Sequence, residues 1–318
     1  VFGLVGSEMC IRDSYIIAYH GSRQNADVRQ KRSDNHSAQI DWWLNYDDKI
    51  EIRILAMDFD EGEFWDNSRV RYIDILDGPT PPASARNKLL NHFYDSGDEW
   101  AIFADSDAIL NKHHNFPHTH VNICDIIRNS PEKFAEITLF APHNDQRPGD
   151  GAFYEKFNGV DKDYKDVDWN TEFVFDRKLT HMKGTLFFLK NNKERLMMDE
   201  YFNVHPLGTK SILGGEDDEF IVSCVMANKG TYMLRNILLK EMTAGSTWSD
   251  TTSRKDDEKM RDDYIAKKHS LPSDKSKWTR FIKKERTGYP KQLRINPSKA
   301  DSFACLLYTS DAADETTG

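Results

Sequence analysis

Two acidic clusters in this chain carry residue types that could work together. Trp100-Ala-Ile-Phe-Ala-Asp-Ser-Asp107 is an apolar run ending in Asp105 and Asp107, and Gly214-Gly-Glu-Asp-Asp-Glu219 is a glycine turn that delivers four carboxylates in a row. Two carboxylates one residue apart at a strand end are hard oxygen ligands, suited to Mn2+ or Mg2+ with phosphate and water oxygens completing the shell. A metal held there would neutralise a departing diphosphate. A carboxylate of the second cluster could take the proton of an attacking hydroxyl. Each signal also has a plainer reading: an Asp-x-Asp after a strand can cap the next helix, and a run of acids is tolerated in a helix's first turn, where the dipole favours negative charge. The apolar run before Asp105 favours the rim of a sheet, and the two glycines before Glu216 let the backbone turn tightly and approach a ligand.

Other candidate groups are weaker. His113, His114, His118 and His120 have spacing compatible with zinc, but no paired cysteine or helical His-x-x-x-His accompanies them, and a solvated loop is the better reading. Lys275 to Ala300 holds nine basic residues and one acid, with Trp278, Phe281 and Tyr289 interleaved. That mixture can hold an anionic partner, or it can be a partly helical tail that packs its aromatics on the body.

The elements that must position these groups follow from hydrophobic pattern. Tyr15–Tyr19, Lys49–Met57, Val70–Leu76 and Trp100–Phe103 read as strands, with helices in the second half of 25–46 and over Ala83–Tyr94. This alternation argues for α/β architecture with a mostly parallel central sheet flanked by helices, in which ligands sit at the carboxyl ends of strands. His20, Asp58, Asp60, Asp105 and Asp107 all fall there. The middle, Asn144 to Arg177, is rich in Asp, Gly and aromatics and reads as a long acceptor-side loop region. Lys183–Leu189 and Thr231–Leu234 are further strands. Between them lies a helix from Glu216 to Asn228, stopped by Gly230. From Ser249 onward the chain is charged and weakly periodic, a small C-terminal helical appendage.

Residues 4–14 and 305–315 resemble in-frame translations of a transposase-type sequencing adapter. The expected division is therefore an adapter-derived 1–14, a main domain over 15–250, a basic appendage over 251–304 and a second adapter-derived segment over 305–318. Without the two end segments the net charge of −9 becomes −5, and two cysteines remain, Cys124 and Cys224, each in an apolar run. A disulfide framework is not expected, and a reducing, cytoplasmic setting fits. No run is long and apolar enough to span a bilayer. Residues 15–274 carry about −12 against +8 in the basic segment, which is not the pattern of a dedicated nucleic-acid binder.

Taken in order, these pieces resemble the beta-1,4-galactosyltransferase-like branch of metal-dependent glycosyltransferases with the GT-A fold. Ile16-Ile-Ala-Tyr-His-Gly-Ser-Arg23 is similar to the family's first strand and its arginine-bearing turn. Ala85-Arg-Asn-Lys-Leu-Leu-Asn91 is similar to its Asn-Arg-Ala-Lys-Leu-Leu-Asn helix, Asp105-Ser-Asp107 to its metal motif, Lys183-Gly-Thr185 to its glycine pair beside the donor sugar, and Gly214-Gly-Glu-Asp-Asp218 to its acceptor motif. The resemblance implies an inverting transfer from a nucleotide sugar, such as a UDP-sugar, to the hydroxyl of a glycan or other acceptor. It implies Asp107 as direct metal ligand with Asp105 supporting it, and Arg86, Arg23, Tyr19, Asp58, Asp60, Asp105 and Gly184 on the donor side. On the acceptor side it implies Asp217 as catalytic base, with Glu216, Asp218 and Gly215 as contacts.

Two departures stand out. Leu213 replaces the family's tryptophan before the glycine pair, and the family's histidine metal ligand has no counterpart near Gly245, which leaves Glu241, His269 or water to complete the shell. A metal-dependent phosphoesterase and a non-catalytic glycan-binding relative are the alternative classes.

Overall fold

The computed structural model describes residues 11–21, 26–112, 122–144, 164, 166–169, 171–180, 184–208, 212–242, 254–285 and 288–297. Arg23, the four clustered histidines and Gly245 lie outside the described residues, as do most of the two end segments and much of the 144–177 region.

Among the described residues ten strands form one sheet. They are β1 (Ile11–Tyr19), β2 (Glu51–Met57), β3 (Val70–Leu76), β4 (Trp100–Asp105), β5 (Ala108–Lys112), β6 (Leu139–Asn144), β7 (Phe173–Arg177), β8 (Leu186–Lys190), β9 (Thr231–Glu241) and β10 (Gln292–Ile295). Their order across the sheet is β10-β7-β9-β6-β8-β4-β1-β2-β3, with β5 paired to the far end of β9. Six α-helices accompany them among the described residues: α1 (Ala26–Tyr46), α2 (Pro82–Ser96), α3 (Ile123–Asn129), α4 (Glu216–Met226), α5 (Arg254–Lys268) and α6 (Trp278–Glu285).

The expectation of a mostly parallel sheet holds for one half only. β3, β2, β1 and β4 are parallel neighbours. Beyond β4 the sheet is mixed: β4–β8, β6–β8, β5–β9, β7–β9 and β7–β10 are antiparallel, and β6–β9 alone is parallel. Parallel neighbours need a crossover. Helices α1 and α2 supply two of the crossovers in the first half, whereas β5 follows β4 after two residues and turns away to pair with β9.

β1 begins at Ile11, four residues before the sequence-based boundary at Tyr15. Asp13 and Ser14 pair with β2, and Ile11 with β4; Ile11, Asp13 and Ser14 are buried. The 144–177 region likewise closes with a strand, β7, rather than remaining loop throughout.

The period of two along the strands sorts the core into two faces. Ile16, Ile54, Ile102 and Phe188 join Ile40 and Trp43 of α1 and the apolar side of α3 on one face. Tyr15, Leu55, Phe103 and Phe187 join Leu89, Leu90 and Phe93 of α2, with Phe220, Ile221 and Cys224 of α4, on the other. Complete burial of each such large side chain stabilises by about 1.5–3 kcal/mol. α4 also has an outer side: Val222 and Val225 pack with Leu213, Ile265 of α5, and Trp278 and Ile282 of α6. The C-terminal helices therefore share a core with the helix that carries the second acidic cluster. Trp278 is 1% exposed, so this aromatic of the basic segment does pack on the body. Cys124 and Cys224 are buried free thiols. Among the described residues no helix is long and apolar enough to cross a membrane.

Candidate active site

The turn after β4 places Asp105 and Asp107, and four backbone or side-chain contacts fix it. The Asp105 N–H donates to Thr185 O at 2.8 Å, and Met242 N–H donates to Asp107 O at 2.8 Å. Gln39 of α1 donates from Nε2 to Asp105 O at 2.6 Å and to Ala108 O at 2.7 Å. Asn35, one turn earlier, donates to Met242 O. The buried stripe of α1 runs through Arg32, His36, Gln39, Ile40 and Trp43, polar at one end and apolar at the other. Its polar end meets the site.

Arg86 joins the two acidic clusters. Three prolines, Pro79, Pro81 and Pro82, lead into α2, and proline's fixed φ suits a helix start. Arg86 then falls on the buried face beside Ala85, Leu89 and Leu90. Its Nη2 donates to Asp105 Oδ1 at 2.9 Å, and its Nη1 lies 3.6 Å from Glu216 Oε1. Burial works against this guanidinium's charge, but Asp105, Glu216 and Asp217 together outweigh it and hold the proton more tightly than usual.

The carboxylates respond in turn. Burial, reinforced by the charge of Asp217 and opposed by Arg86, pushes Glu216 up to about 7. Asp105 is also raised, first by desolvation, against Arg86, with Glu241 and Asp217 adding to the push. Its side chain is 40% exposed, so solvent screens part of that effect.

The second cluster opens α4. Gly214 and Gly215 have φ of 68° and 105°, a left-handed pair in which glycine is strongly favoured. A Cβ on Gly215 would stand 2.1 Å from Arg261 Cδ, so the α5 arginine lies directly over the turn. Arg261 Nη1 is 3.4 Å from Asp218 Oδ2, and Asp218 is buried. Asp217 accepts at Oδ2 from the Gly184 N–H at 3.0 Å and at Oδ1 from the Asp218 N–H at 2.8 Å. Gly184 fits against this group so closely that a Cβ there would meet Asp217 Cβ at 2.4 Å and Arg86 Nη1 at 2.7 Å. Glu219, the fourth acid, is fully buried; burial raises its carboxyl, but bonds from His269, Lys268 and Ser223 outweigh it and hold it below the usual range. His269 is thus engaged at the α4–α5 joint, 2.8 Å from Glu219 Oε1.

The donor-side residues expected from the sequence fall into two further groups. Tyr19 ends β1 with the Arg32 guanidinium 5.2 Å from its ring centre. Burial lowers the Arg32 pKa, while Tyr19 and Asp107 act in the opposite direction, which puts Arg32 within electrostatic reach of Asp107. Asp58 and Asp60 follow β2: Asp58 adopts φ 58°, tolerable for Asp in a turn, and Asp60 Oδ2 pairs with Arg29 at 2.8 Å. Beside them His20 is buried, stacked on Phe59 at 3.7 Å and 3.2 Å from His36 Nδ1. Burial lowers the His20 pKa, with Glu63 opposing.

Sequence pattern alone missed Arg32, Gln39 and Arg261. All three sit on helices of predominantly polar sequence, as polar members of the inward face. For the two on α1, the trace in the sequence is the helical spacing of Arg32, His36 and Gln39.

Asp105 and Asp107 are carboxylates one residue apart at the end of β4, and Glu241 lies opposite Ala108 in the β5–β9 ladder. Among the described residues no three His, Cys, Asp or Glu side chains are grouped as a ready cage. Mg2+-type sites commonly rely on one or two carboxylates plus substrate phosphates, and the negative charge that Glu241 and Asp217 add around Asp105 suits a cation. The residues present fit a divalent ion completed by a bound diphosphate.

No protein-family model matches the chain, and no curated protein matches it. Several solved structures share coarse similarity. A protein from Desulfovibrio desulfuricans G20, assigned as a nucleotide-diphospho-sugar transferase, is 8% identical over 71% of this chain and 80% of its own, with a TM-score of 0.38. A197 from STIV is 11% identical over 72% of this chain and 85% of its own, with a TM-score of 0.34. GalNAc-T7, solved with UDP, GalNAc and Mn2+, is 12% identical over 87% of this chain and 55% of its own, with a TM-score of 0.44.

Proposed function

We propose that this chain is a metal-assisted, inverting glycosyltransferase that moves a sugar from a nucleotide-sugar donor, a UDP-sugar, to an acceptor hydroxyl. One observation carries the reading: Arg86 bonds Asp105 of the metal motif and lies 3.6 Å from Glu216 of the acceptor motif, so two motifs far apart in sequence meet at a single guanidinium. The hydrogen bond from Gly184 to Asp217 ties the third expected segment to the same place.

In this reading Asp107 and Asp105, with Glu241 near them, would hold Mn2+ or Mg2+, which when bound supplies positive charge to the leaving diphosphate. Arg32 adds a fixed positive charge on the Asp107 side. Tyr19 at the end of β1, and Asp58 and Asp60 after β2, belong to the donor's nucleoside side. Arg86 is a positioning residue, committed to the two carboxylates.

Asp217 is the base. Each of its oxygens accepts one backbone N–H, which fixes the carboxylate plane and leaves lone pairs for the acceptor hydroxyl. Its proton abstraction strengthens the hydroxyl as it attacks the anomeric carbon opposite the diphosphate. Glu216, raised to about 7, is partly protonated near neutrality and can donate a hydrogen bond to an acceptor oxygen. Asp218 and Gly215, held under Arg261, fix the turn that presents Glu216 and Asp217.

The test is nucleotide release from a panel of UDP-sugars, with and without glycan acceptors, in wild type and Asp217→Asn. Acceptor-dependent release should fall about a hundredfold or more in the variant. Equal turnover in the variant removes the base assignment, and phosphate release without any acceptor points to a phosphoesterase.

A further inference from the structure

A cavity with cations in its wall lies beside the first half of β9, away from the catalytic cluster. It has a volume of about 670 Å³, opens to solvent, and is walled by the end of β7, by α6 and by the segment entering β10. Among the described residues its lining holds five cations, Arg177, Lys178, Arg235, Lys283 and Lys291, and one carboxylate, Asp176. That carboxylate is already taken up: Arg235 Nε donates to Asp176 Oδ2 at 2.7 Å, Gln292 Nε2 donates to Oδ1 at 3.0 Å, and the Tyr164 hydroxyl bonds it as well.

The arginines of the wall are held in place, and Lys283 and Lys291 are exposed at its rim. Arg177 donates from Nη1 to Tyr289 O at 2.8 Å and lies 5.3 Å from the Tyr289 ring centre, while the Tyr289 hydroxyl donates to Asn228 O at 2.9 Å. β7 and β10 are paired beneath it from Phe173 to Asp176. A concave, cation-lined surface on a chain of net charge −9 runs against the molecule's overall field, and concavity focuses that local potential. The volume is that of a small-molecule site, roughly 300–1,000 Å³.

We infer that this cavity binds a small phosphate-bearing anion at a subsite separate from the catalytic cluster. Arg235 and Glu241 are six residues apart on β9, so their Cα atoms lie at most about 20 Å apart along the strand. The inference does not depend on the transferase reading, because the two sites share no lining residue.

The test uses inorganic pyrophosphate, titrated calorimetrically at low salt in EDTA, which removes metal-assisted binding at Asp105 and Asp107. Wild type is compared with Lys283→Glu/Lys291→Glu, whose two positions are exposed, and with Lys49→Glu/Lys193→Glu, an equal charge change at exposed positions outside the cavity lining. The inference predicts saturable binding that weakens about tenfold or more in the cavity variant and stays within about twofold in the control pair and in Asp107→Ala. Unfolding of each variant is followed by circular dichroism, and Lys283→Gln/Lys291→Gln replaces the reversal if that variant is not folded. Absence of saturable binding by wild type, or equal weakening in both charge-reversed pairs, overturns the inference. Loss of Mn2+-dependent nucleotide binding with pyrophosphate binding intact would remove the transferase reading alone.

Discussion

Arg86 and Asp105 meet at 2.9 Å between α2 and the end of β4, and the same guanidinium reaches Glu216 at 3.6 Å. Arg86 is 6% exposed, so its charge is offset by protein carboxylates rather than by water. Removing one partner of a buried pair leaves the other charge uncompensated. The Asp105 side chain is 40% exposed, so solvent screens part of that cost, and Arg86→Ala should destabilise by on the order of 1–2 kcal/mol and abolish donor-dependent turnover. Arg86→Lys should recover part of the stability, because a lysine keeps the charge and loses the two-pronged geometry. Urea unfolding of the three proteins checks this; equal stability of Arg86→Ala and wild type contradicts it.

Gly184 packs directly against Asp217, the proposed base. A methyl group there would stand 2.4 Å from Asp217 Cβ and 2.7 Å from Arg86 Nη1. Gly184→Ala should cost about 1–3 kcal/mol in unfolding free energy. It should also lower turnover about a hundredfold by displacing Asp217. A steady-state assay beside a denaturation curve separates the two effects, and wild-type turnover in a folded Gly184→Ala protein would show that Asp217 does not depend on this contact.

Glu216 gives the site a pH signature. Its carboxyl is raised from 4.5 to about 7 by burial and by Asp217, with Asp105 adding and Arg86 opposing. A raised carboxyl holds its proton more tightly in the folded protein. Its contribution to stability is therefore fully present below about pH 4.5 and is lost as pH rises through about 7. Glu216→Gln should remove that loss, so the variant gains on wild type between pH 5 and pH 8 by on the order of 1–3 kcal/mol. Urea unfolding at the two pH values in EDTA measures it; parallel pH dependence of the two proteins would contradict the raised carboxyl.

The parts of this site legible in the sequence are those written locally. Asp105-Ser-Asp107 follows its own apolar strand, and Gly214-Gly215 announces the turn into α4. The parallel half of the sheet was readable too, because β1, α1, β2, β3, α2 and β4 follow one another with clear changes of period. The mixed half was not. β5 starts two residues after β4 with no glycine or proline between them, and nothing local says that it pairs with β9. α1 was only half visible, since Arg32, His36 and Gln39 occupy inward positions that apolar periodicity never marks. The convergence of Arg86 with Glu216, and of Arg261 with Gly215, depends on packing between elements remote in sequence.

The central claim is that Asp105 and Asp107 bind a nucleoside diphosphate through a divalent ion. Thermal unfolding of the protein with UDP, GDP or CMP, each in Mn2+ or in EDTA, and beside Asp107→Ala, addresses it most directly. A site filled at a hundred times its dissociation constant stabilises by about 2.7 kcal/mol, a readily visible shift. The account predicts a Mn2+-dependent upward shift with UDP that is lost in Asp107→Ala. No nucleotide response in folded wild-type protein, or an equal response in EDTA and in the variant, would contradict it.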